Sequence, residues 1–140
     1  ELGQILKLPS SIYNRNPFPG PGLYLRIIGT PVSKDKLDLV RESDKIVSDI
    51  LKKHNLNGEI SQLIVALLGI DSVGVKGDER VYGHSLAIRA VQTVDFMTAK
   101  GYYFKEEVVN EIINALTKHK DIVRVFFDMT PKPPATTEFE

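Results

Sequence analysis

The 140-residue sequence contains no cysteine and no tryptophan, and its 18 basic and 18 acidic side chains cancel. Without cysteine there is no disulfide framework, no thiolate nucleophile and no cysteine metal site. Zero net charge argues against the positively charged surface with which proteins bind nucleic acid or anionic membranes. The longest apolar run, Leu63 to Leu68, is far shorter than the roughly 18 residues of a membrane helix. We therefore expect no nucleic-acid partner and no membrane partner.

The sequence also lacks the basic, then apolar, then small-residue leader that marks a protein for secretion, so we expect a cytoplasmic protein. Because the first residue is Glu1 rather than Met, we expect a chain that has been processed or cut from something larger. Hydrophobic residues make up 42% and charged residues 26% of the sequence, which is typical of a folded globular domain. Its length suits one domain with one core.

Proline is absent between residues 32 and 130. Because proline fixes φ and removes a backbone donor, the packed body is this middle part, and the segments Ile12 to Gly22 and Thr130 to Glu140 are extended or turn-like. The first is either a linker or a stiff ligand wall, with Arg15 able to meet a phosphate or carboxylate. The second is either a frayed terminus or a docked tail. In the docked case Lys132 would meet a phosphate and Glu138 would accept hydrogen bonds from a ribose or a base.

Apolar residues at helical spacing predict two helices. The first covers Lys34 to His54 and is capped by Ser33. The second covers Lys105 to Lys118, with acids in its first turn and bases at its end, as the helix dipole favours.

Apolar, β-branched segments between turn residues predict the strands. They are Ser61 to Leu68, Asp71 to Lys76, His84 to Val94 and Ile122 to Met129, with Leu23 to Ile28 as a further candidate. Gly77-Asp78 and Tyr82-Gly83 are interpreted as breaks between strands. Two helices among four or five short strands indicate an α+β fold: a two-layer sandwich in which a small, mostly antiparallel sheet carries both helices on one face.

One glycine-pinned turn presents Lys76, Asp78 and Arg80 within five residues. A solvated hairpin and a site for an anionic ligand both remain open, but the Gly-Lys-Ser/Thr ending of a Walker phosphate loop is missing. Gln62 and Arg89 lie on predicted strands, where such groups need partners when buried, and structural pairing is favoured for Arg89. The three histidines show no ligand spacing, so we expect no metal site and no catalytic triad.

Four groups of segments follow one another along the chain: Arg15 with Pro17 to Leu23, Ser72 to Val75 with Gly77, Asp78 and Arg80, Leu86 to Val91 with Asp95 to Thr98, and Lys132 to Thr136 with Glu138 and Glu140. In this order, these segments resemble the C-terminal domain of glutamine-hydrolysing GMP synthase, over nearly the whole chain. Four departures from the family pattern are mild: Asn16 for His or Gln, Pro131 for Ser, Thr137 for Ile and Phe139 for Trp.

The resemblance implies a domain that binds XMP and forms a homodimer, within an enzyme that converts XMP, ATP and glutamine-derived ammonia to GMP, AMP and pyrophosphate. Residues 1–22 would be the linker and ligand loop after a missing ATP-pyrophosphatase domain, and residues 23–140 the dimerisation domain. The XMP contacts carried over are Gln62, Asp78, Arg80, Lys132 and Glu138, with the backbone of Pro19, Gly20, Pro21 and Gly22 as a wall.

The same resemblance implies that this domain binds no cofactor, whereas the parent enzyme uses ATP and Mg. Its further partners are the ATP-pyrophosphatase domain and a glutamine amidotransferase domain or subunit. The sequence contains neither the Ser-Gly-Gly-x-Asp-Ser nucleotide loop of the first nor the Cys-His-Glu set of the second, so we expect no activity from the chain alone. The alternative is a purely structural dimerisation module, with the nucleotide held by the missing domain. Zero net charge and the lack of a Gly-x-x-Gly segment between helices disfavour a KH-like RNA binder.

Overall fold

The computed structural model describes residues 22–140, which form two α-helices and one sheet. The interpretation of residues 1–22 as linker and ligand loop, with Pro19, Gly20 and Pro21 in its wall, lies outside the described residues except at Gly22. None of the helices within residues 22–140 is long and apolar enough to cross a bilayer. The elements are a 3₁₀ helix Gly22–Arg26, β1 Ile27–Ile28, α1 Lys34–Lys53, β2 Gln62–Lys76, β3 Glu79–Gln92, β4 Lys100–Gly101, α2 Glu106–Thr117 and β5 Ile122–Phe127.

Both predicted helices are confirmed to within one residue at each end. Ser33 is the N-cap of α1, and its hydroxyl accepts a 3.3 Å hydrogen bond from the Lys36 amide, which satisfies one of the helix's unpaired N–H groups. The predicted apolar stripe of α2 is buried at Val108, Ile112 and Leu116. Lys118, expected at the end of that helix, is its C-cap residue.

The predicted strand boundaries need three corrections. The two strands expected before and after residue 70 are one strand, β2, whose pairing with β3 is irregular only between Leu68 and Ser72. Tyr82-Gly83 does not break the chain, because β3 runs through it. The segment Leu23 to Ile28 is mostly the 3₁₀ helix, and only its last two residues form β1.

β2 and β3 form a long antiparallel hairpin at the centre of the sheet. They pair from Gln62 opposite Val91 to Lys76 opposite Glu79. The intervening turn has two residues, and Gly77 adopts φ +63°, a left-handed conformation that glycine adopts without strain. β1 pairs parallel with β2, while β4 and β5 pair with β3, antiparallel and parallel respectively. Most paired residues are antiparallel, so the predicted α+β class is confirmed.

The hairpin is buried on both faces near its open end. Alternate residues of β2, among them Leu63, Val65 and Leu67, belong to the core that both helices share. The intervening Ile64 and Ala66 are also fully buried, on the opposite face. That second face carries Arg89, whose side chain bonds to residues of the C-terminal tail, 128–140. The helices therefore lie on one face, as predicted, and the tail lies on the other.

Beyond Leu68 the hairpin continues as an arm, residues 69–83, with two unlike faces. Gly74 and Gly83 lie on one face, where an added Cβ would come within 2.6 Å of the Val123 side chain and 2.7 Å of the Asp121 carbonyl oxygen. Strand glycine at such a place marks a close approach of another segment. The other face is exposed, and both Val75 and Tyr82 on it have 72% of their surface accessible.

Candidate functional site

The side chain of Arg89 joins the C-terminal tail to the sheet. Its guanidinium, only 1% exposed, donates to the carbonyl oxygens of Thr130, Thr136 and Thr137 at 2.7, 2.9 and 3.0 Å, and to the Asp128 carboxylate at 3.2 Å. The planar fork of arginine suits several acceptors in one plane. The predicted structural pairing of Arg89 is confirmed, and the tail is docked rather than frayed.

The docked tail places Glu138 against the start of β2. Its Oε1 accepts hydrogen bonds from the Gln62 side-chain amide at 3.1 Å and from Arg26 Nη2 at 3.0 Å. Gln62 and Arg26 are buried, at 6% and 1% exposure. Two residues predicted as substrate contacts, 76 positions apart in the sequence, are thus brought into direct contact.

The second carboxylate oxygen of Glu138 has a different environment. Oε2 is buried and has no hydrogen-bond partner among the described residues. A buried acceptor left without a donor is costly, roughly 1–3 kcal/mol. A bound molecule that donates a hydrogen bond to Oε2 would therefore be stabilised at this position.

Asp44 of α1 completes the cluster around Arg26. Its Oδ1 accepts from Arg26 Nη1 at 3.4 Å. Burial raises the pKa of the Asp44 carboxyl, the charge of Arg26 opposes that rise, and the charge of Glu138 adds to it. The cluster therefore joins the helix layer to the tail through one arginine and two carboxylates.

Lys132 lies near the same end of the hairpin. Its backbone pairs with Ala99 through bonds of 2.8 and 3.0 Å, and its Nζ donates to the Phe96 carbonyl oxygen. Ala99 leads into β4, which pairs with the residues of β3 opposite Gln62. Ala99 also lines an open cleft of about 670 Å³. An ammonium group has three donors, so the bond to Phe96 leaves two of them for another acceptor.

Asp78 and Arg80 are not part of this group. Asp78 is in the turn that joins β2 and β3, and Arg80 pairs with Val75 close to it. Asp78 and Gln62 are separated by the 15 residues of β2, a path of up to roughly 45 Å along the strand at about 3.3 Å per residue. Lys76, the third charge predicted at this turn, points to the opposite side and donates to the Thr117 and His119 carbonyl oxygens at the end of α2.

Of the predicted wall, the structure describes Gly22 alone. It adopts φ +68° at the start of the 3₁₀ helix. The three histidines take part in separate contacts: His54 with Glu111 at 2.6 Å, His84 with Asp71 at 3.7 Å, and His119 with the Asp121 amide at 3.1 Å. Within residues 22–140 no group of three His, Cys, Asp or Glu residues is arranged to hold a metal ion.

Sequence reasoning missed Arg26 and Asp44. Each carried a detectable signal. Arg26 interrupts the apolar segment from Leu23 to Ile28, and Asp44 lies four residues after Val40 and three before Val47, on the buried stripe of α1. A charged residue at a position that the apolar pattern predicts to be buried indicates that an opposite charge lies beside it.

Comparison with known protein families gives a match over most of the sequence. Residues 49–139 match the family model described as the GMP synthase C terminal domain. The chain belongs to the GMP synthase C-terminal domain family. The match spans β2, β3 and the tail, and so includes five of the predicted contacts: Gln62, Asp78, Arg80, Lys132 and Glu138.

Individual relatives of this GMP synthase C-terminal domain come from bacteria and fungi. The glutamine-hydrolysing GMP synthases of Acetivibrio thermocellus and Candida albicans are 46% and 42% identical to it, over 100% and 99% of the chain. That of Saccharomyces cerevisiae is 40% identical over 99% of the chain. The alignments cover 27%, 26% and 26% of these relatives, so the chain spans about a quarter of their length.

Proposed function

We propose that the chain is the XMP-binding and homodimerising domain of a GMP synthase. In that enzyme XMP, ATP and ammonia from glutamine give GMP, AMP and pyrophosphate. The family match and the similarity to glutamine-hydrolysing GMP synthases support this role. The observation that carries it is the buried Oε2 of Glu138, held beside Gln62 without a donor of its own.

The chemistry of Glu138 fits the neutral part of a purine nucleotide. A carboxylate only accepts hydrogen bonds, whereas a ribose diol and a xanthine ring both offer donors. Because Arg26 and Gln62 both donate to Oε1, the Glu138 carboxylate is held in position before the ligand arrives. A fixed acceptor costs less conformational entropy on binding.

Lys132 fits the phosphate of the same nucleotide. Lys132 is half-buried, and its backbone N–H and carbonyl groups both form hydrogen bonds with Ala99. Its ammonium group donates once to Phe96 and retains two N–H donors. A charge-assisted bond to phosphate is roughly twice as strong as a neutral one. The domain would thus bind and orient XMP, while ATP, Mg and the ammonia source belong to the rest of the enzyme.

The test is a titration of the isotope-labelled chain with XMP, followed by NMR, with AMP as the control nucleotide. We expect XMP, but not AMP, to shift the amide signals of Gln62, Lys132 and Glu138. Lys132→Ala should weaken XMP binding by about tenfold or more, because a hydrogen bond to a charged group contributes roughly 1.5–3 kcal/mol. Lys120→Ala, at an exposed lysine remote from the tail, should leave XMP binding unchanged.

Two outcomes would contradict the proposal. If the wild-type chain dimerises and XMP shifts no signal, the chain is a dimerisation module and the nucleotide is held elsewhere. If XMP and AMP shift the same signals equally, the site binds the phosphate and the ribose and does not distinguish the two bases.

A further inference from the structure

Two buried arginines contact the C-terminal tail and bind different kinds of group. Arg89 donates to three tail carbonyl oxygens and to the Asp128 carboxylate, so it holds the backbone of the tail. Arg26, also 1% exposed, donates to two carboxylates, those of Glu138 in the tail and Asp44 in α1. Arg26 therefore acts on the side chain of Glu138, whereas Arg89 holds the segment to which Glu138 belongs.

Arg26 uses a different nitrogen for each carboxylate. Its Nη2 donates to Glu138 Oε1 at 3.0 Å, and its Nη1 donates to Asp44 Oδ1 at 3.4 Å. An arginine that meets a single carboxylate frequently forms a bidentate pair, in which two parallel N–H groups bind both carboxylate oxygens. In this structure Asp44 accepts from the nitrogen that would complete such a pair with Glu138.

Because the pair is incomplete, one oxygen of Glu138 is left over. Gln62 gives its amide donor to Oε1, the same oxygen that Arg26 Nη2 binds. Oε2 is buried and has no hydrogen-bond partner among the described residues. Two carboxylates thus share one guanidinium, and the acceptor in excess is the oxygen that faces the ligand under the proposed function.

We propose that Asp44 is a positioning residue of the substrate site: by holding Nη1 of Arg26, it prevents Arg26 from binding both oxygens of Glu138 and so leaves Oε2 for the ligand. This inference rests on the proposed function, which assigns Glu138 to XMP. Asp44 acts through two other side chains, and it lies on α1, in the helix layer behind the sheet. The helix layer thereby controls an acceptor on the tail.

The exposure of the three side chains separates this role from a role in folding. The side chains of Arg26 and Glu138 are 1% and 13% exposed, whereas that of Asp44 is 31% exposed. The bond from Arg26 to Asp44 is also the longer of the two. A partly exposed, long ion pair contributes little to stability. Removing Asp44 should therefore reorient the guanidinium without unfolding the chain.

The first test is a crystal structure of the Asp44→Ala variant without ligand. Once its acceptor on α1 is removed, we expect a second nitrogen of Arg26 to lie about 3 Å from Glu138 Oε2. A guanidinium that keeps its wild-type position, with Oε2 still unpaired, would overturn the inference whether or not the chain binds XMP.

The second test is a titration of the same variant with XMP at neutral pH. Asp44→Ala should weaken XMP binding by about tenfold or more, because the ligand must first displace a charge-assisted hydrogen bond from Oε2. The free energy of unfolding in urea should not fall. Wild-type affinity in this variant, or a parallel loss of affinity and stability, would contradict a positioning role.

Two control variants separate the acceptor at this position from its charge. The side-chain carbonyl of Asp44→Asn can still accept from Nη1, so this variant should bind XMP within about threefold of wild type, less than the loss of one hydrogen bond to a charged group. Asp49→Ala makes the matched substitution on the same helix, at an exposed residue paired with Lys45, and should bind as wild type does. A loss in Asp44→Asn equal to that in Asp44→Ala would assign the effect to charge and refute the inference.

The two tests also separate this inference from the proposed function. If the wild-type chain binds no XMP, the proposed function fails, and the crystal structure alone decides whether Asp44 keeps Arg26 from Oε2. If XMP binds and Arg26 does not move in Asp44→Ala, the proposed function stands and the inference is wrong.

Discussion

Arg89 in β3 and Thr137 in the C-terminal tail are joined by a 3.0 Å hydrogen bond from Nε to the carbonyl oxygen, across 48 positions of sequence. Two further tail carbonyls and the Asp128 carboxylate bind the same guanidinium. The tail in turn carries Lys132 and Glu138. One buried side chain therefore fixes the position of two proposed substrate contacts.

Replacing Arg89 should release the tail. Arg89→Met leaves three carbonyl oxygens and one carboxylate without their donor, and removing one partner of a buried charged network costs about 3–5 kcal/mol. We expect a loss of this size in the free energy of unfolding in urea, with faster hydrogen exchange in residues 130–138. Arg41→Met is the control, because Arg41 is exposed and its partner is the equally exposed Asp38 of the same helix. An unchanged exchange rate in the tail would show that Arg89 does not hold it.

A methyl group at Gly83 should separate the arm from β5. Its Cβ would lie 2.7 Å from the Asp121 carbonyl oxygen and 2.8 Å from Val123 Cγ1, and such overpacking costs about 1–3 kcal/mol. We expect Gly83→Ala to destabilise the chain and to shift the amide signals of β5. Gly58→Ala is the control, since a Cβ there meets nothing within 4 Å. Equal stability of the two variants would contradict the close approach.

The exposed face of the arm should control association rather than folding. Val75→Lys places a charge on an exposed apolar face that we expect a second copy to cover in the proposed homodimer, and a buried unpaired charge is strongly unfavourable. We expect sedimentation to show a monomer whose free energy of unfolding changes by less than about 0.5 kcal/mol per chain, the usual range for surface substitutions. Val32→Lys, at an exposed valine before α1, should leave the dimer intact. A Val75→Lys dimer as tight as wild type would argue against contact at this face.

Asp44 should give the stability of the chain a distinct pH dependence. Because burial raises the folded-state pKa of Asp44 above its ordinary value of 3.8, the folded chain keeps this proton over a range in which the unfolded chain has lost it. The resulting stabilisation is complete below the unfolded pKa and is lost as the pH rises through the folded pKa.

The substitution Asp44→Asn should remove this pH-dependent loss of stability. We expect the free energy of unfolding of the variant to fall less than that of the wild type as the pH is raised from about 4 towards neutrality. Asp49→Asn, at an exposed residue paired with Lys45, should follow the wild type. Parallel curves for Asp44→Asn and wild type would show that its burial does not perturb its titration.

The helices were predictable because their signals are local. Ser33 and the spacing of Val40 and Val47 determine α1 within a few turns, and the structure follows them. Strand boundaries were less predictable. Gly83 was interpreted as a break, but it allows the close approach of Val123, a residue from another part of the chain.

The candidate site was predictable in its residues and not in its geometry. Gln62 and Glu138 were both identified, yet their contact depends on the docking of the tail, which nothing near either residue specifies. Closeness in sequence predicts one cluster of Lys76, Asp78 and Arg80. Alternation along the strands places Lys76 on the opposite face from Arg80, where it binds the end of α2.

The residue-by-residue pairing of β2 with β3 has a consequence for how this domain tolerates insertions and deletions. Deleting one residue from one strand would turn every later side chain of that strand to the other face. Deleting two residues from each strand would preserve both faces and shorten the arm by about 7 Å. Length changes in this hairpin therefore preserve its two faces only when both strands change together and by an even number of residues.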